Sequence, residues 1–145
     1  MESSSPPTCP LHGPGIDPSS LMGVRVERVV TSRFVPSDGE EGGPDDIWLI
    51  DDAGVSTWIT TGSDWCLIVE ASRPTDGYDL GAQGRVEVAP DRRTPFERHV
   101  GERVVSVQER WEPATGRVGL RIGFESGSVV CDAWGGDLRL CSHAA

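Results

Sequence analysis

The chain has 145 residues, 37% of them hydrophobic and five of them Trp, which is enough apolar material for one core and argues against wholesale disorder. Its formal charge is −10, from 23 acidic and 13 basic residues, which disfavours nucleic acid and anionic membranes and suits a basic partner. All 13 basic residues are Arg, so a Schiff-base or P-loop lysine is excluded.

Residues 1–20 are rich in Ser, Pro and Gly without periodicity and read as a flexible tail. They carry neither a basic region nor an apolar one of the secretory kind. No stretch approaches the roughly 20 apolar residues of a membrane span, so the expected location is the cytoplasm. A single β domain is expected over 21–145, with repeat one at about 21–71, a connector at about 72–98 and repeat two at about 99–141.

Met22 to Val30 is Val-rich and broadly alternating and predicts the first strand. An acidic, Gly-rich loop follows over 36–46, with Glu40, Glu41, Asp45 and Asp46. Ile47–Ile50, Val55–Thr60 and Trp65–Val69 are β-like runs separated by Asp51-Asp52-Ala53-Gly54 and Thr61-Gly62-Ser63-Asp64. In the connector, Arg85–Val88 predicts one short strand. Glu102–Trp111 is Val-rich. In Arg117–Phe124, Val118, Leu120, Ile122 and Phe124 share one face, the period-2 signature of a half-buried strand. Val129–Ala133 is the next strand. Gly135-Gly136 then marks a hairpin that turns Leu138 and Leu140 inward.

The two halves resemble each other. A shift of 73 lays Leu49–Ile68 on Ile122–Cys141, matching Gly54 with Gly127, Gly62 with Gly135, Asp64 with Asp137 and Leu67 with Leu140. A shift of 78 lays Gly23, Arg25, Val26 and Val29 on Gly101, Arg103, Val104 and Val107. Each half then reads as a four-stranded antiparallel meander that cannot cover its own apolar face. The expectation is an all-β protein whose tandem repeats pack as an antiparallel sandwich or small barrel. The alternative is α+β, with 97–110 as a helix, against which its β-branched residues argue.

Catalytic signatures are missing: the sequence has no GxGxxG, GxSxG or HExxH. Gly123-Phe-Glu-Ser126-Gly127 matches a nucleophile elbow only loosely and reads as a turn. His99 reads as a surface or capping residue. Cys9-Pro-Leu-His12 and Cys141-Ser-His143 match no standard zinc module, so no metal and no cofactor is expected, and the cysteines read as free or core thiols. A two-residue turn at Gly135-Gly136 would pair Cys131 with Leu140 and point the Cys131 and Cys141 thiols to opposite faces, whereas a three-residue loop, Gly135 to Asp137, would set the two cysteines directly opposite each other.

The binding candidates are the acidic loop residues Glu40, Glu41, Asp45 and Asp46, the repeat-equivalent Asp64 and Asp137, and Trp58. Trp58 alternates with Ser56 and Thr60 and is the expected exposed anchor. Asp64 and Asp137 equally read as turn formers whose side chains bond nearby backbone N–H groups.

The stretch Leu120-Arg-Ile-Gly-Phe-Glu-Ser-Gly-Ser-Val-Val130, followed by Trp134-Gly-Gly-Asp-Leu-Arg-Leu140, resembles a pattern in small bacterial β proteins, some of them similar to immunity proteins of toxin systems. That resemblance implies a non-enzymatic protein binder of immunity or antitoxin type and supplies no site residues. The reading is a protein-binding module that docks a basic protein through an acidic, Trp-bearing β surface, with neither nucleic acid nor membrane as partner. The alternatives are a small-molecule binder or enzyme with its site between the repeats near Asp64 and Asp137, and an assembly protein that pairs through an open sheet edge.

Overall fold

The computed structural model describes residues 15–62 and 64–144, so Cys9 and His12 lie outside the described residues. The chain is all-β, with two antiparallel sheets and no closed barrel. The first meander is β1 (Val26–Pro36), β2 (Asp46–Asp51), β3 (Ser56–Thr61) and β4 (Leu67–Ala71). The connector supplies two strands, β5 (Tyr78–Asp79) and β6 (Gly84–Pro90), where one was expected. The second meander is β7 (Ser106–Glu112), β8 (Gly116–Phe124), β9 (Gly127–Trp134) and β10 (Asp137–Ala144). The six-stranded sheet has the order β4-β3-β2-β1-β6-β5 and the four-stranded sheet the order β10-β9-β8-β7. The helical alternative for 97–110 is not realised: Pro95–His99 is a short 3-10 turn and β7 begins at Ser106. No helix among the described residues is long and apolar enough to cross a membrane.

The two halves meet as their sequences suggest. Arg25 and Arg103, equivalent under the shift of 78, form an antiparallel bridge. The backbone bonds around it come in matched pairs. Gly23 N–H donates to Val104 at 2.8 Å and Gly101 N–H to Val26 at 2.7 Å; Val104 N–H donates to Val24 at 2.9 Å and Val26 N–H to Glu102 at 3.2 Å. A segment paired with its own equivalent in this reciprocal way is what a local two-fold relation requires.

The core lies between the sheets. Val29, Ile47, Leu49, Ile59, Leu67 and Val69 from the larger sheet meet Leu120, Ile122, Phe124, Val129 and Cys131 from the smaller, and Leu21, Phe96 and Val104 pack with them. Val26 and Val29 both face this core although strict alternation would separate them. A register shift between Val26 and Arg28 adds one residue to β1 and restores the face. On the opposite face of the larger sheet, Val30, Trp48 and Ile50 form a second buried cluster, against which Trp58 packs.

The last segment expected as tail takes defined structure. Ile16 N–H donates to Val69 O at 3.0 Å on the β4 edge, and Pro18–Leu21 is a 3-10 turn capped by the Asp17 side chain. Gly15 has φ +65, and a Cβ there would stand 2.1 Å from Val69 O, so this approach requires glycine.

Of the two loop lengths, the β9–β10 hairpin has the two-residue turn, with Gly135 and Gly136 at φ 59 and 90, and Cys131 pairs with Leu140. Cys131 and Cys141 are free, and burial pushes the Cys131 thiol far up. Cys66 is disulfide-bonded, where a free or core thiol was expected. Pairing is decided by the approach of two thiols in space, which sequence spacing does not reveal.

Candidate functional site

An open cleft of about 860 Å³ lies where the two meanders meet. One wall is Arg33 and Phe34 of β1 with Gly42–Asp45 of the acidic loop; the other is Trp134 with Asp137–Leu140 of the β9–β10 hairpin, and Arg93–Pro95 close the end. The loop holds this wall because Asp91 organises the residues behind it. Asp91 is only 5% exposed, yet it accepts from Thr31 Oγ1 at 2.7 Å, from Arg33 Nε at 2.6 Å and from both the backbone and side chain of Arg93. Burial alone would raise its pKa; the bonds from Thr31, Arg93 and Arg33 together outweigh it and hold the carboxyl well below the usual range. Arg93 also forms a two-pronged pair with Glu41 at 3.0 and 3.1 Å, and Arg33 donates to Gly42 O at 3.0 Å. The two cations on this side of the cleft are therefore balanced by Asp91 and Glu41.

The carboxylates that line the cleft are not balanced in this way. Among the described residues, neither Asp45 nor Asp137 takes part in an ion pair. Burial first, then the charges of Asp46 and Asp137, push the Asp45 carboxyl up. Asp46 is tied down by Ser32 Oγ and by the Trp58 indole N–H, which donates to it at 2.8 Å.

Of the sequence candidates, the fold brings Asp45 and Asp137 to the cleft from opposite halves, places Asp46 beside them, and commits Glu41 to Arg93. Glu40 is exposed on the loop. Asp64 does not line the cleft, but its turn touches the hairpin that does: Thr61 Oγ1 donates to Gly136 O at 2.6 Å. Trp58 is half-buried and bonded to Asp46 instead of standing free, because its face of the larger sheet is itself covered. The exposed indoles are Trp65 and Trp134, at 61% and 64%. Each flanks one of the equivalent Gly-x-Asp turns, and that was the signal available in sequence.

His99 is not a surface residue either. It is 1% exposed and stacks on Phe124 with ring centroids 4.5 Å apart. Its Nδ1 lies 3.1 Å from Ser126 Oγ and 3.3 Å from Glu102 Oε2, and Ser126 Oγ donates to Glu102 at 2.8 Å. A serine relay places the hydroxyl on one ring nitrogen and the carboxylate on the other. Here both meet Nδ1, while Nε2 is buried without a partner. The cluster clamps the β8–β9 turn to the Pro95–His99 segment and is not arranged to activate Ser126.

No group of three His, Cys, Asp or Glu side chains among the described residues is placed to hold a metal ion. Comparison with protein-family models, with curated proteins and with solved structures finds no match.

Proposed function

We propose that the protein is a non-catalytic binding module that docks a basic protein through the cleft at the junction of its halves, where Asp45, Asp137 and Trp134 stand together. The observation that carries this reading is the meeting of two unpaired carboxylates, Asp45 and Asp137, beside the exposed Trp134. Like charges held together raise each other's energy, and a cation placed between them relieves it. Indoles at the centre of a surface patch are the commonest anchors of protein interfaces. The net charge of −10 adds a long-range pull on the same class of partner. An immunity-like role, in which such a surface covers a toxin's basic face, is the form of this function that the sequence resemblance suggests.

The test is titration of the protein with an octa-lysine peptide in low and in moderate salt. Binding is expected to weaken steeply with salt, because exposed charge pairs are screened. The double substitution Asp45→Asn with Asp137→Asn is expected to weaken it roughly fivefold at low salt. Glu87→Gln, on β6 and paired with Arg85, is expected to leave it unchanged. Equal loss for the Glu87 variant would show only diffuse attraction and would contradict a site at the cleft.

A further inference from the structure

We infer that the cleft is built for arginine: it seats one guanidinium of the basic partner between the Trp134 indole and the Asp45–Asp137 pair. This rests on the docking reading above and names the group recognised.

Four observations converge. Trp134 is 64% exposed, and its ring already accepts a guanidinium, with Arg139 Cζ 5.2 Å from the ring centroid. Arg139 is exposed on the hairpin, so it is free to leave when a better-held cation arrives. The unpaired carboxylates come from opposite walls, and a planar fork with five N–H donors can meet both, whereas an ammonium is a compact point charge. Finally, Thr94 lines the same cleft, is only 6% exposed, and its Oγ1 has no hydrogen-bond partner. A buried hydroxyl left unpaired is costly, and an arriving N–H would satisfy it. Two other cations that line the cleft, Arg33 and Arg93, are already balanced by Asp91 and Glu41.

The experiment compares octa-arginine with octa-lysine, which carry equal charge, on the full chain and on Trp134→Ala, Thr94→Val and Arg139→Gln. Octa-arginine is expected to bind roughly fivefold tighter than octa-lysine, the scale of a partly desolvated cation–π contact. Trp134→Ala should abolish that preference, weakening octa-arginine binding more than octa-lysine binding until the two affinities are equal. Thr94→Val should reduce the preference, and Arg139→Gln should tighten octa-arginine binding. Unchanged thermal unfolding of Trp134→Ala, expected for so exposed a side chain, separates loss of the site from loss of the fold. Equal affinity for the two peptides, or an arginine preference that survives Trp134→Ala, overturns the arginine proposal and leaves the acidic docking surface standing. Binding of neither peptide overturns both.

Discussion

Asp91→Ala is expected to cost about 3–5 kcal/mol of folding stability, measured by urea unfolding, because it takes the carboxylate at 2.6 Å from the largely buried Arg33. Arg33 has only 12% of its side chain exposed and holds Asp91 at 2.6 Å. Thr31 Oγ1, buried on the neighbouring position of β1, loses its acceptor as well. Asp91→Asn keeps the shape and one acceptor oxygen and is expected to cost less. The effect has a defined pH dependence. The folded-state pKa of Asp91 is held below its ordinary value of 3.8. Its contribution is therefore complete above about pH 4 and is lost as the pH falls toward the folded value. The difference in stability between the native chain and Asp91→Asn should thus be flat near neutrality and shrink in acid. Because Asp91 also orients Arg33 and Arg93, which hold the acidic loop through Gly42 and Glu41, its loss should loosen the cleft wall too.

Phe124→Ala is expected to cost about 3–5 kcal/mol, the range for emptying a buried aromatic site. Phe124 is 4% exposed at the end of β8, stacked on His99 and edge-on to Phe96, whose ring centroid is 6.3 Å away. Truncation removes apolar area from the core and uncovers the His99 ring, whose Nε2 has no partner of its own. Denaturant midpoints measure the loss. Val105→Ala, at a side chain 53% exposed, is the contrast and should fall within about 0.5 kcal/mol of the native chain.

Much of this fold is legible in the sequence. Val118, Leu120, Ile122 and Phe124 alternate with Gly119, Arg121 and Gly123, and the structure buries all four. The Gly135-Gly136 pair sets the last hairpin's register, because a two-residue turn leaves only one pairing of Cys131. The shift of 78 matches Arg25 with Arg103, and these two residues form a bridge in the fold. Of the β5–β6 hairpin only β6 is legible, through Arg85–Val88; β5 is two residues long and too short to show a pattern.

The site is less legible. Alternation shows that Trp58 shares a face with Ser56 and Thr60, but not that this face is buried, so Trp58 reads as exposed when it is half-buried. The carboxylates Asp45 and Asp137 can be marked as candidates one by one. Their meeting depends on how the halves fold together, as does the bond from Thr31 to Asp91, sixty residues along the chain. Thr94 gives no signal in sequence, because an unpartnered hydroxyl is a property of packing alone.

The most direct measurement is the set of indole N–H signals of the five Trp residues in an NMR titration with octa-arginine. Docking at the cleft predicts the largest shift at Trp134, with Trp48 and Trp58 unmoved because one is buried and the other is bonded to Asp46. Shifts concentrated at Trp111 on β7, or no indole shift while the peptide binds, would place recognition elsewhere and contradict the account.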